Sequence, residues 1–213
     1  MPPGKLGVVL FVLTGSSCSG KTTLANALRA DRIAVHDSDE RGVPSGADLA
    51  WRQSELEQWV GVALDYEADG MDLLLTGQSP LGEVLAVPSA PRLSRVAVCL
   101  VDVEDRTRLM RLERRDPGKW DRERRRQFIG WAAWHRNHLA DPSFVPNALS
   151  DGAWPCMRWD RWSSWTGDDP RWRTDNMDTT DRSVVDCVGE LATWIERVRA
   201  DPDWPLVRGW TAD

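Results

Sequence analysis

The stretch from Gly7 to Thr22, GVVLFVLTGSSCSGKT, decides how the rest of the chain is read. Gly7 to Leu13 is a continuous apolar run rich in Val and Leu, the pattern of a parallel strand buried on both faces. A glycine-rich loop follows. Gly15 and Gly20 can take the positive φ that a tight turn needs. The backbone N–H groups between them can then converge on one concavity that suits phosphate oxygens. A helix opening near Lys21 adds its positive dipole end. The spacing Gly-x-x-x-x-Gly-Lys-Thr places Lys21 for the β- and γ-phosphates of ATP or GTP and the Thr22 hydroxyl for Mg²⁺. Nucleotide contacts are expected over Gly15, Ser16, Ser17, Cys18, Ser19, Gly20, Lys21, Thr22 and Thr23.

Downstream, strand and helix patterns alternate. Ile33 to His36, Met71 to Thr76, Val96 to Val101 and Thr174 to Met177 read as short strands. Thr22 to Arg29, Leu49 to Ala68, Asp105 to Arg115, Asp121 to Leu139 and Ser183 to Arg199 read as helices, the last opened by a Ser183-x-x-Asp186 cap. This alternation predicts an α/β fold with a parallel sheet. Residues 143–172 have no clear period. They carry Pro146, Pro155 and Pro170 with Trp154, Trp159, Trp162, Trp165 and Trp172, and read as an irregular insertion. The expected organisation is one domain over 1–199, with a lid candidate at 106–140 and the Trp-rich insertion at 143–172, followed by a tail at 200–213.

Composition narrows the function classes. The 213 residues suffice for an ordinary core. A net charge of −6 argues against a nucleic-acid partner as a first reading. Of 27 basic residues all but Lys5, Lys21 and Lys119 are arginine, a bias that also arises in arginine-heavy proteomes. Cys18, Cys99, Cys156 and Cys187 form no Cys-x-x-Cys pair or zinc spacing and read as reduced thiols. The run from Val8 to Leu13 is too short for a signal segment, and no run approaches the ~20 apolar residues of a membrane span. The expectation is a cytoplasmic protein without a membrane partner.

A second candidate site is His36-Asp37-Ser38-Asp39, at the end of the second strand. If strand geometry persists, Asp37 and Asp39 share a face. One carboxylate can then assist Mg²⁺ and the other accept a proton from an attacking hydroxyl; a solvated acidic loop is the plain alternative. On the basic helix, Arg108, Arg111 and Arg115 share a face that can stabilise a transferring phosphoryl group or simply be solvated. Gln78 and Ser79 follow the third strand, suited to a polar substrate or to a turn. His135 and His138 lack a third ligand, and Trp131 and Trp134 beside them read as helix core.

With these features in place, the chain resembles the small P-loop kinases of the shikimate- and gluconate-kinase type, with chloramphenicol phosphotransferase as a further relative. The resemblance rests on the loop at 15–22, Asp37-Ser38-Asp39, the basic helix at Arg106–Arg115 and Asp178-Thr179-Thr180 before the last helix. It implies a three-layer P-loop fold, ATP and Mg²⁺ as cofactors, and transfer of the γ-phosphoryl group to a hydroxyl of a small molecule. Catalytic roles then fall to Lys21, Asp37, Asp39, Arg111 and Arg115, metal binding to Thr22 and Asp37, and substrate contacts to Asp39, Gln78, Arg136 and Trp159. Thr76-Gly77-Gln78-Ser79 stands where shikimate kinases carry a run of glycines, and the third strand lacks a closing aspartate. These departures leave the acceptor open among a nucleoside, a sugar-like metabolite and an antibiotic. Asp102, ending the fourth strand, reads as a turn residue. The 143–172 insertion is expected to form part of the acceptor side of the cleft and not to bind nucleotide, its aromatic rings serving as a wall and Arg158 or Asp160 reading polar groups of the acceptor. A satellite core and a platform for single-stranded nucleic acid are the other readings. A nucleotide-hydrolysing regulator and a polynucleotide kinase are the rival functions.

Overall fold

The computed structural model describes residues 7–211. Five strands, β1 (Leu10–Thr14), β2 (Ile33–Asp37), β3 (Asp72–Thr76), β4 (Val96–Asp102) and β5 (Thr174–Asp178), form one sheet in the order β2-β3-β1-β4-β5. Every pairing is parallel. The central strands β1, β3 and β4 are buried along nearly their whole length, as their apolar runs require. The outer strands β2 and β5 carry polar residues and are only partly covered. Helices α1 (Lys21–Ala27), α2 (Leu49–Ala68), α3 (Leu81–Ala86), α4 (Asp105–Arg115), α5 (Arg122–Ala140), α6 (Asn147–Ser150) and α7 (Val184–Ala200) flank the sheet. This is the expected three-layer α/β architecture.

The starts of the three longest helices are chemically marked. Asp48 caps α2 by accepting from Trp51 N at 2.8 Å, and Asp121 caps α5 by accepting from Arg124 N at 2.7 Å. Ser183 caps α7, accepting from Asp186 N at 3.1 Å as its spelling predicts. α1 packs against α7, and Phe11 of β1 meets Trp194 of α7 edge-on at 5.2 Å. The register aligns the strand ends: Asp37 pairs with Thr76, and Asp102 with Asp178. Most of the residues singled out for chemistry therefore sit at the carboxyl edge of the sheet, where ligands bind in open α/β folds.

The Trp-rich segment is packed, largely against α3. Trp162 donates to Gly82 O at 2.7 Å, and a Cβ on Gly82 would lie 2.7 Å from the Trp162 ring. Only glycine fits that position of α3. Arg161 donates to the carbonyls of Leu85, Val87 and Pro88, closing the carboxyl end of the same helix. Trp162, Trp165 and Trp172 join the main hydrophobic core. The tryptophans match the core reading, and the expectation that they wall the acceptor side is corrected, while Ala148 of the same segment does line the cleft beside the phosphate loop. The tail folds back as well: Trp204 is 2 % exposed and donates to Val96 O at 2.6 Å. No helix among the described residues is long and apolar enough to cross a membrane.

Candidate functional site

The glycine-rich loop bridges β1 and α1 in the conformation its glycines allow. Gly15 has φ 137° and Gly20 φ 107°, and Cys18 between them is also left-handed at 62°. A Cβ on Gly15 would come within 2.4 Å of Val101 O, so the loop can lie against β4 only with glycine there. Its outer turn is held from several directions. Arg108 of α4, fully buried, donates to Ser17 O at 2.6 Å and to Asp102 at 2.5 Å. Thr179 donates to Ser19 O at 2.8 Å, and Ser16 to Phe128 O of α5 at 2.9 Å.

Lys21 curls over the concavity and donates to Gly15 O at 2.7 Å and Ser16 O at 3.1 Å. Burial, reinforced by the charge of Arg108, lowers its pKa to about 8. A lysine held this way is short of an anion, and phosphate oxygens entering the loop would supply one. Beside it, Thr22 donates to Asp37 Oδ2 at 2.8 Å, and Thr76 donates to the same oxygen at 2.7 Å. The aspartate missing from the end of β3 is thus answered by Thr76, which steadies Asp37 on the neighbouring strand. Among the described residues no cluster of three or more His, Cys, Asp and Glu is assembled for a metal. The Thr22–Asp37 pair nevertheless offers adjacent hard oxygens. That is the donor set of a Mg²⁺ completed by phosphate and water.

Asp39 does not continue the strand. β2 ends at Asp37 and a turn begins, in which Asp39 N donates to Asp37 Oδ1 at 3.1 Å. The expectation of alternating strand positions fails for that reason. Asp37 and Asp39 still line one cleft, but they meet different partners, and Asp39 is exposed, with only the Ser38 hydroxyl bonded to its carboxylate at 3.3 Å.

That cleft, of about 1060 Å³, runs from the corner before α7, past the phosphate loop, to the amino end of α2. Arg111 and Arg115 line it, as do Gln78 and Ser79. Arg111 bonds Thr179 Oγ1 and O, both at 2.9 Å, while Arg115 is exposed and paired with Asp116. Arg136 is elsewhere. It binds Asp102 at 2.5 Å and Asp105 at 2.6 Å. Burial opposes its charge, but those hydrogen bonds outweigh it and raise its pKa. Asp102 is therefore a clamp for Arg108 and Arg136, not a turn residue. Trp159 packs beside Trp162 and against the main core, while Arg158 and Asp160 pair with each other at the surface. None of Arg136, Arg158, Trp159 and Asp160 lines the cleft.

The far end of the cleft is built by two residues that the sequence does not mark and by Trp131, whose reading as helix core is corrected. Trp51 and Arg52 enter from α2, and Trp131 from α5. The guanidinium of Arg52 lies over the Trp131 ring at 5.5 Å, and the indole N–H of Trp131 is buried without a partner among the described residues. Arg52 stands in an ordinary-looking helix start, and nothing in its spelling separates it from surface arginines.

Neither a family model nor a curated protein sequence matches this chain. Solved structures do align with it. A sugar kinase from Janibacter sp. HTCC2649 aligns over 91 % of this chain and 97 % of its own, at 14 % identity and a TM-score of 0.50. The protein APE1195 aligns over 92 % and 98 %, at 17 % identity and 0.50. The Pnkp1/Rnl/Hen1 RNA repair complex aligns over 64 % of this chain at 12 % identity and 0.50, and there this chain spans 47 % of the matched chain. At these identities the likeness shows the fold alone, the α/β arrangement that this chain shares with the sugar kinase and APE1195.

Proposed function

We propose that this protein transfers the γ-phosphoryl group of ATP to a hydroxyl of a small molecule. The observation that carries the reading is the single cleft that joins the phosphate loop to a side-chain-lined recess across Asp39. The loop N–H groups and Lys21 bind the phosphates, and Thr22 and Asp37 would hold a Mg²⁺, which would supply neutralisation of phosphate charge. The rest of the nucleotide lies toward Thr179, Arg182 and Val184 at the opposite end.

The roles of the two aspartates separate on their bonds. Asp37 already accepts two hydroxyls through one oxygen and faces the metal position. Asp39, exposed in the cleft and with its carboxylate bonded by the Ser38 hydroxyl alone among the described residues, serves as the base. The acceptor oxygen forms a bond to the γ-phosphorus, the bond from that phosphorus to the bridging oxygen breaks, and the hydroxyl proton passes to Asp39. Arg111 and Arg115 place positive charge beside the transferring group. Trp51 and Trp131 cover the recess with large stiff surfaces that limit access of water to the γ-phosphate.

The test is ATP consumption with Mg²⁺ against pooled sugars, sugar acids, nucleosides and antibiotics, with a single-stranded oligonucleotide as a separate arm. Acceptor-dependent ADP release with a phosphorylated small product is expected. Release that no acceptor stimulates, or phosphate found only on the oligonucleotide, would overturn the reading.

A further inference from the structure

Glu83 of α3 is a carboxylate with no exposure at all, inside the protein and behind the cleft wall. One of its oxygens accepts from Arg52 Nη2 at 2.7 Å and from Gln53 Nε2 at 2.9 Å. Gln53 is equally buried, and its amide is fully engaged: Nε2 also donates to Leu149 O at 2.9 Å, while its oxygen accepts from Trp154 N at 2.8 Å. The chain of bonds therefore runs from the Trp-rich segment through Gln53 and Glu83 to Arg52, which lines the cleft.

Desolvating a carboxylate costs several kcal/mol, and an apolar side chain of the same volume would pack α3 as well or better. What the carboxylate does that an apolar group cannot is fix a guanidinium in place and direction. An arginine side chain is otherwise long and mobile, with roughly 2 kcal/mol of rotamer entropy to lose on ordering. Here that ordering is done before any ligand arrives. Arg52 is pinned at one end by Glu83, lies over the Trp131 ring, and spends a single hydrogen bond in doing so. Its Nε–H is buried without a partner among the described residues, and the guanidinium edge not bonded to Glu83 is left to the cleft.

We propose that Glu83 is a positioning residue: it holds Arg52 at the far end of the cleft so that the guanidinium meets an oxygen-bearing group of the acceptor. The Trp-rich segment takes part at second hand, because its backbone fixes Gln53 and Gln53 fixes Glu83. Residues 143–172 thereby set the geometry of a recess that their tryptophans do not line. This rests on the kinase reading of the cleft.

Three variants test it: Glu83→Gln, Glu83→Asp and Gln53→Leu, each checked by circular dichroism. With the acceptor that the parent consumes, Glu83→Gln should raise the acceptor KM about tenfold or more, the loss of a charge-assisted bond, with the ATP KM within about twofold. Glu83→Asp, which keeps the charge, should recover part of the loss if Glu83→Gln folds poorly. Gln53→Leu should act in the same direction more weakly. An unchanged acceptor KM in Glu83→Gln, or equal rises for ATP and acceptor, would overturn the proposal. A parent without acceptor-dependent turnover sinks the kinase reading separately. In that event the Arg52 Nε–H resonance in ¹⁵N NMR decides the positioning alone: sharp in the parent and exchange-broadened in Glu83→Gln supports it, and unchanged in both refutes it.

Discussion

The phosphate-loop half of the cleft is made of consecutive backbone, whereas the α2–α5 half is made of side chains gathered from distant points of the chain. In the first half, Gly15 to Lys21 create the concavity by their own dihedral angles, and Arg108, Thr179 and Ser16 only brace it. In the second, Arg52, Trp131, Gln78 and Asp39 come from two helices and two turns, and their arrangement depends on buried contacts such as Glu83 with Gln53. A site made of contiguous backbone tolerates little variation in sequence. A site made of converging side chains can be rebuilt for another acceptor without touching the loop. This matches a fold that serves many chemistries through grafted sites.

The sharpest way to break this contrast is Asp39→Asn. As the base, its loss should lower kcat roughly 10²–10⁴-fold while the ATP KM stays near the parent value. A full rate in steady-state assays would make Asp39 a solvated loop residue. Next is Lys21→Ala, expected to lower turnover roughly 10²–10³-fold with every acceptor, since it removes a donor to the charge that develops on the phosphates. Circular dichroism should show the fold intact. Parent-like turnover would remove the loop from the chemistry.

A stability measurement sharpens the contrast from the other side. Trp162→Ala should cost roughly 3–5 kcal/mol in urea unfolding, from the cavity and the orphaned Gly82 carbonyl, with the ATP KM unchanged. A kinetic defect without loss of stability would return the tryptophans to the cleft wall. The smallest effect concerns pH. Lys21 has its pKa lowered to about 8 in the free loop, and bound phosphate would raise it again. Nucleotide affinity should therefore be full below pH 8 and decline above it, by at most about tenfold per unit. Isothermal titration between pH 7 and 9.5 tests this, and a flat profile would mean that Lys21 keeps its charge without phosphate.

The same contrast explains how much could be read from the chain. The central strands β1, β3 and β4 follow their apolar runs, the edge strands β2 and β5 follow shorter mixed ones, and the alternation with helices implies the parallel sheet. The loop, Asp37, Asp39, Arg111 and Arg115 were legible because local spelling or helical spacing places them. Arg136 and Trp159 were misplaced because both lie next to promising neighbours in sequence, while their directions are set by Asp102 and by the core around Trp162. Helix α3 has no sequence signal: Leu81–Ala86 is too short to show a period, and all six of its residues are buried, Glu83 included. With α3 unseen, Glu83 and its link to Arg52 had no position from which to be inferred.

Asp102 has a mechanical consequence. It grips Arg108 near the start of α4 and Arg136 near the end of α5, so one carboxylate roots both arms of the helical hairpin. Toward the tip, the arms are joined by the pair of Glu113 and Arg125, which is largely exposed. The hairpin is a cantilever, fixed at the sheet and free at the turn around Gly118. Pulling the root would strip a buried guanidinium of its counter-charge, while bending the tip costs only exposed contacts. Any displacement when the cleft fills should thus grow along the hairpin with distance from Asp102, carrying Arg115 further than Arg111 and leaving Arg108 where it is.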